Sequence, residues 1–502
     1  MSLKIRALKN VASSWAGLAV NIVVGFFLSP FVLHRLGDDA YGLWMLMFSL
    51  TGYYGLFDFG IRSSLIRYVS QFRATNDREQ LSRLINTSFV AYSCVGLALM
   101  IPTVIVSFYV DRIFHIPAGF EHDAKLLFLI LGIAFALNFP LGISGGILEG
   151  LQSFYILNWT NIISTLVRAV LIIASLHYGL GLVTLTLITV ILPLTAGVVR
   201  SVIAQRIMRI SFGWRYVNRQ SFREVAHYGA VTFMILVAAR LRFKTDAVII
   251  GGFLSAAAIT FFSIAGRLVD YSTEVVNSLA QIFTPMSSEF HSTGDHAALR
   301  RVFILGNRAC ALTMFPISVA LIILGKSVIT VWVGSRYVSS YNVLLILLIP
   351  STLYYAQATS TRILFGMSRH RVLAIVALIE GVANVTLSIA LVRPLGIVGD
   401  AIGTAIPLLC TSVFFLPRHL CRQLDVPLGK FLREAYLLPG LLCIPLALTL
   451  MVMQRLLYAQ NYWQLFLHVA VGGLVYGAGV LWLLLREPMG ADLREKMAGF
   501  LQ

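Results

Sequence analysis

Apolar runs of about 20 residues, the length that crosses a bilayer core as a helix, recur from one end of this chain to the other. They fall near 11–34, 39–60, 84–108, 125–148, 156–177, 182–199, 225–250, 254–284, 302–324, 341–361, 372–392, 399–417, 435–454 and 463–485. Lipid offers no hydrogen bonds, so a backbone crossing it must close its own, as a helix or a sealed barrel. Barrel strands are alternating runs of about 10 residues. These runs are longer, do not alternate and carry Gly and Pro freely, so they predict helices. The expected fold class is an all-α integral membrane protein of about 14 transmembrane helices. Composition agrees: of 502 residues, 58% are hydrophobic and 12% charged, with a mean hydropathy of +0.83. A water-soluble domain carries roughly twice that charged share. No connection exceeds about 25 residues, which leaves no room for a soluble catalytic domain.

Short cytoplasmic loops are enriched in Lys and Arg. With the N-terminus inside, the inner segments hold 26 of the 39 Lys and Arg and the outer loops 7. Both termini are therefore expected in the cytoplasm, on a multi-pass protein of the bacterial cytoplasmic (inner) membrane. The same asymmetry accounts for the net charge of +17, because the basic residues are spread over every inner loop. Anionic lipid is the expected counterpart of that charge, and nucleic acid is not. The first apolar run is long and has no cleavage site after it, so it reads as a retained helix. The five cysteines form no C-x-x-C pair and imply neither metal nor disulfide.

The chain repeats itself at a separation of about 216 residues. Leu148-Glu149-Gly150-Leu151 opens a passage ending at Gly179-Leu180-Gly181-Leu182, and Leu364-Phe365-Gly366-Met367 opens one ending at Leu395-Gly396-Ile397-Val398-Gly399. A weaker correspondence sets Leu36 to Leu43 against Phe253 to Thr260. The expected organisation is an N-lobe of six helices (1–210), a basic linker (211–224), a C-lobe of six (225–420), and two added helices with a tail (421–502). Six is even, so the lobes share one orientation and are related by a pseudo-two-fold along the membrane normal. The linker region, from Arg200 to Arg223 with Phe212, Trp214, Tyr216 and Phe222, reads as lying along the inner membrane surface.

Leu28-Ser29-Pro30-Phe31-Val32-Leu33-His34-Arg35-Leu36-Gly37, followed by Tyr41-Gly42-Leu43-Trp44 and Asp58-Phe59-Gly60-Ile61, resembles the opening of the polysaccharide transporter family. Asp246 in the seventh span, Phe262-Ser263-Ile264-Ala265-Gly266-Arg267-Leu268, and Asn384 with Leu395-Gly396-Ile397-Val398-Gly399 resemble it too. These are lipid-linked oligosaccharide flippases, allied to the multidrug and toxin extrusion transporters. The resemblance covers about residues 1–420. It implies that the cargo is an undecaprenyl-diphosphate-linked oligosaccharide, moved from the inner to the outer leaflet. The partners it implies are that lipid, glycan polymerase and biosynthesis proteins, and a proton or Na+ as coupling ion.

Ionisable groups at bilayer depth are costly and mark functional sites. In the eighth span Arg267, Asp270, Glu274, Asn277 and Gln281 step by three and four and so share one helical face. The seventh adds Arg240, Arg242, Lys244 and Asp246. At about 1.5 Å per residue, Arg240 lies about 15 Å and Arg267 about 20 Å from the outer ends of their spans, near mid-bilayer. Guanidinium grips a diphosphate with paired donors, so the substrate-binding candidates are Arg240, Lys244, Arg267, Arg168, Arg242 and Asn384. Asp58, Asp246, Asp270 and Glu274 are the candidate coupling or cavity acids. The bland counterpart is an interhelical salt-bridge network of the same groups, or a proton or ion relay. Asp58 and Arg62 continue the helical face of Trp44, Phe48, Thr51 and Gly55, and Arg308 is expected to snorkel to the inner surface.

Gly325-Lys326-Ser327 ends a string like a phosphate loop, but Ala320 stands at its first glycine position and the loop faces outward. Asn86, Asn158 and Asn384 match glycosylation sequons by chance. No cofactor, metal site or catalytic triad stands out, so the expectation is a transporter and not an enzyme. The alternatives are a cation-coupled drug exporter of the same superfamily, or a peptidoglycan lipid-precursor flippase. The first span holds no Asp or Glu, which weighs against a cation exporter.

Overall fold

The computed structural model describes residues 3–486 except 76, 209–210, 212, 224–232, 234–236, 238–239, 241–244 and 368. Among the described residues every regular element is helical. Nine helices among the described residues are long and apolar enough to cross a membrane, or ten if the bent pair Ser340–Tyr355 and Ala358–Gly366 is one span. The protein is a multi-pass membrane protein.

The expected spans that do not stand alone each have a physical reason. The second is a helix over Asp38–Gly52 followed by a 3-10 turn, Tyr53–Asp58, and ends at two left-handed residues, Phe59 (φ 46°) and Gly60 (φ 72°). The seventh, 225–250, lies largely outside the described residues. The eighth is a helix of 25 residues, Ala256–Ala280, whose Arg267, Asp270 and Glu274 interrupt its apolar length. The eleventh and twelfth run together, joined at Gly396 (φ 61°) with no loop.

The chain forms two compact units, Met1–Thr260 and Phe261–Gln502. This is a division by packing, whereas the expected boundary at 211–224 is a division by repeat. The first unit contains α1 (Leu3–Leu36), α2 (Asp38–Gly52), α3 (Ile61–Ala74), α4 (Arg78–Ile113), α5 (Glu121–Gly150), α6 (Phe154–His177), α7 (Leu182–Met208) and α8 (Asp246–Phe253). The first residues of α9 (Ala256–Ala280) complete it. α5 is its centre, packed against α2, α3, α4 and α7. Small residues let these helices approach, as is usual where lipid supplies no hydrophobic drive. A Cβ on Gly96 would come within 2.5 Å of the Ala136 carbonyl oxygen, and one on Gly132 within 2.3 Å of Thr103 Cγ2. α1 is tied to α6 by a polar ladder: Asn10 donates to the Gln152 carbonyl (2.9 Å), Asn158 to Ser13 and Ser14 (2.9 Å each), and Thr165 to Asn21 (3.2 Å).

The second unit continues along α9 and adds α10 (Phe283–Ser292), α11 (His296–Trp332), α12 (Ser340–Tyr355), α13 (Ala358–Gly366) and α14 (His370–Cys410). It closes with α15 (Leu416–Leu424), α16 (Leu428–Leu432), α17 (Leu438–Leu456) and α18 (Tyr462–Arg486). Its core gathers Leu299, Phe303, Ile363, Leu364, Leu420 and Phe431, with Phe303 stacked on Phe431 at 4.3 Å. α17 lies on α11 through Leu324, Leu446 and Leu450. At Gly396 α14 folds back on itself: Asn384 donates to Thr404 (3.1 Å) and Ser388 to the Asp400 carbonyl (3.2 Å). A Cβ on Gly399 would stand 2.1 Å from the Leu391 carbonyl oxygen, so only glycine permits so close a return.

Two local features occur in both units. Gly150 ends α5 where a Cβ would meet Val69 of α3 at 2.9 Å, and Gly366 ends α13 where one would meet Ser287 of α10 at 2.8 Å. Asp77 caps α4 by accepting from the Gln80 amide (3.0 Å), and Asp295 caps α11 by accepting from Ala298 (2.8 Å). The weaker pair, Leu36–Leu43 and Phe253–Thr260, is in direct contact. Thr260 donates to the Asp38 carbonyl (2.7 Å), and a Cβ on Gly42 would sit 1.8 Å from the Ala256 carbonyl oxygen.

Candidate functional site

In the first unit the break after α2 organises the charges. The 3-10 turn and the two left-handed residues rotate the chain before α3 begins, so the continuous face expected from Trp44 through Asp58 to Arg62 is not formed. Tyr92 of α4 donates its hydroxyl to the Asp58 carboxylate. Arg62, on the first turn of α3, forks onto Glu149 at the end of α5, with Nη2 to Oε1 at 2.5 Å and Nε to Oε2 at 3.3 Å. Gly145, one turn earlier on α5, leaves room for this guanidinium, whose Nη2 would lie 3.4 Å from a Cβ there. The Arg62 side chain is 49% exposed while that of Glu149 is 17% exposed.

Arg200 of α7 is close enough to feel both Arg62 and Glu149. Its guanidinium donates to the Asn161 side chain (3.3 Å) and to the Ala196 carbonyl (3.2 Å). Arg240 lies over the broken segment, with its guanidinium nitrogens 3.7 Å from a Cβ built on Gly52 and 3.0 Å from one on Gly55. Beside it Tyr53 donates to Thr245 (3.0 Å), within electrostatic reach of Arg240 and Asp246. The described charges here, Arg62, Arg200 and Arg240 against Asp58, Glu149 and Asp246, are matched in number.

In the second unit α9 shows two faces. Ala265, Leu268, Val269, Ser272, Thr273, Val276 and Ala280 are buried, whereas Asp270, Glu274 and Gln281 are exposed and Arg267 and Asn277 half-buried. Asn277 accepts from Arg362 of α13 at 3.5 Å.

Of the residues singled out from sequence, Arg240 and Asp246 share a neighbourhood with Asp58's segment, and Arg267, Asp270 and Glu274 share the α9 stripe. Arg168 is half-buried on α6 and engaged by other groups. Asn384 is buried and bonded across the α14 hairpin to Thr404, while accepting from Ser388 (3.2 Å). Arg242 and Lys244 lie outside the described residues. Arg308, expected to snorkel, is instead buried at 8% exposure, and Asn307 beside it is fully buried and bonded to Ser360 (3.0 Å) in the seam between α11 and α13.

Sequence reasoning missed Arg62, Glu149, Arg200 and Tyr92 as a group. In the sequence Arg62 stands out only as a continuation of the Trp44 face, Arg200 only as the start of the basic linker, and Glu149 only within the repeat. Arg62 opens α3 and Glu149 closes α5, while Arg200 stands about two turns before the end of α7.

The sequence matches the profile of the polysaccharide biosynthesis protein family over residues 32–342. The chain belongs to that family. The matched stretch includes every charge described above in the first unit and the whole α9 stripe, but not Arg362 or Asn384. A Shigella flexneri protein provisionally named an O-antigen transporter is 24% identical over 413 residues, covering 80% of this chain and 94% of that one. The fold is similar to that of the lipid II flippase MurJ in an inward closed conformation, with a TM-score of 0.71 at 16% identity, over 94% of this chain and 97% of that one. It is also similar to an inward-facing multidrug resistance MATE family transporter of the MOP superfamily, with a TM-score of 0.66 at 13% identity, over 82% of this chain and 94% of that one.

Proposed function

We propose that this member of the polysaccharide biosynthesis protein family is a flippase. Its cargo is an undecaprenyl-diphosphate-linked oligosaccharide, moved from the inner to the outer leaflet of the bacterial cytoplasmic membrane by alternating access. In this reading the chain has 14 spans in two pseudo-two-fold lobes plus two helices, with both termini cytoplasmic. One observation carries the reading: a family of polysaccharide biosynthesis places exposed charges on spans otherwise built for lipid. Asp270 and Glu274 are exposed on α9. Facing hydrocarbon, each would cost several kcal/mol. Such groups are tolerable where water reaches them, and a water-lined path is what a charged headgroup needs.

The matched acids suit this chemistry. Arg62 lies at the inner end of the second span, where Glu149 holds it until a phosphate displaces the carboxylate, offering the same two acceptor oxygens and more charge. Arg200 and Arg240 bring further donors to the same unit. The prenyl tail stays in lipid throughout. Outward movement of the negative headgroup is favoured by an inside-negative potential, by about 2.3 kcal/mol per charge per 100 mV.

Complementation tests the function. Expression in a strain lacking its oligosaccharide flippase is expected to restore surface glycan. Restored drug resistance with no surface glycan would identify a drug exporter, and rescue only of a strain lacking its lipid II flippase would identify a peptidoglycan-precursor flippase.

A further inference from the structure

A second charged feature of the first unit lies outside the machinery above. The start of α4 and the linker that follows α7 enclose an open pocket of about 570 Å³, lined by Arg78, Arg83 and Arg215 with Glu79, Ser82 and Tyr216. Arg83 is paired with Glu79 (2.5 Å). Among the described residues no carboxylate pairs with Arg78 or Arg215, which leaves a local excess of two positive charges. Arg215 is held in place by its neighbour: it donates to the Tyr216 hydroxyl (2.7 Å) and its guanidinium carbon lies 4.8 Å from the Tyr216 ring centre.

The walls are fixed. Asn86, only 6% exposed, donates to the Ser211 carbonyl (2.9 Å) and accepts from the Gly213 amide (3.0 Å). The Asn218 amide donates to Thr87 (3.2 Å). The linker is thus pinned to α4 on both sides of Arg215.

Its level relative to lipid follows from α4 itself. Arg83 is the last charge before an uncharged stretch that runs to Val110, so the pocket opens where the apolar span begins. At that level the linker presents Trp214 (82% exposed) and Phe222 (54% exposed). Aromatic side chains favour the headgroup layer of a bilayer.

We infer that this pocket binds the phosphate of an anionic lipid headgroup and ties the linker to that leaflet. The shared chemistry is a phosphate group bearing one or two negative charges, gripped by Arg78 and Arg215. Lipid is the source because the exposed aromatics and the start of the apolar span border the pocket. The site is independent of the proposed transport reaction.

Native mass spectrometry of the purified full-length protein, titrated with phosphatidylglycerol or phosphatidylcholine, tests the inference. Wild type is expected to prefer phosphatidylglycerol by about thirtyfold, on the scale of two basic side chains near a membrane surface. Arg78→Gln/Arg215→Gln loses the preference, Arg78→Lys/Arg215→Lys retains most of it, and the control Lys430→Ala/Arg433→Ala keeps it in full. Melting temperatures identify variants that fail to fold, and the lysine pair then carries the comparison. Inorganic pyrophosphate without lipid is the second arm. Equal affinity for the two lipids, a preference that survives the glutamine pair, or tight pyrophosphate binding without lipid preference each overturns the inference.

Discussion

At the scale of single residues, the Arg62–Glu149 fork is the interaction most open to test. It joins a half-exposed guanidinium to a mostly buried carboxylate with two bonds. Solvent screening on the Arg62 side limits its worth, so a double-mutant cycle with Arg62→Ala and Glu149→Gln is expected to give a coupling of about 0.5–1 kcal/mol, shrinking with salt. A coupling near zero at low ionic strength would remove the pair from the account. Glu149→Gln alone is expected to weaken export less than Arg62→Ala does, because only the latter removes a phosphate donor. The mid-span charges Arg240, Arg267, Asp270 and Glu274 were legible in the sequence because charge within an apolar run is conspicuous. The grouping of Arg62 and Arg200 with Glu149 was not legible, because a basic residue at a span's inner end is what orientation alone predicts. Nor could spacing say that Asn384 would be bonded across a hairpin, since its partner Thr404 is placed by the bend at Gly396.

At the scale of elements, close approach depends on a few glycines. Gly42→Ala would put a methyl 1.8 Å from the Ala256 carbonyl oxygen, and Gly399→Ala one 2.1 Å from that of Leu391. Both obstacles are backbone, so neither can rotate away. Each substitution is expected to destabilise by about 1–3 kcal/mol or more, read as a lower melting temperature of the purified protein. Gly142→Ala, which meets nothing within 4 Å, is the matched control. Equal melting temperatures for all three would contradict the packing described. Most spans were readable from hydropathy, because an uninterrupted apolar helix is its own signal. The broken second span was not: its 3-10 turn and left-handed Phe59 lie in a run, 53–59, whose composition resembles its neighbours. The joint between the eleventh and twelfth spans was expected as a short outer loop and proves to be a single glycine turn.

For the whole molecule, Gly150 and Gly366 each end a helix closely approached by a short one, and Asp77 and Asp295 each cap the helix that follows that short one. In the proposed function the charges on these spans serve a phosphorylated lipid headgroup and are not merely internal struts. The most direct measurement is translocation of a fluorescent undecaprenyl-diphosphate-linked oligosaccharide in proteoliposomes, comparing wild type with Arg240→Ala and Arg267→Ala of unchanged melting temperature. Wild type is expected to flip the lipid, and both variants to fall to the rate of protein-free vesicles. Wild-type flipping by both folded variants would contradict the proposal.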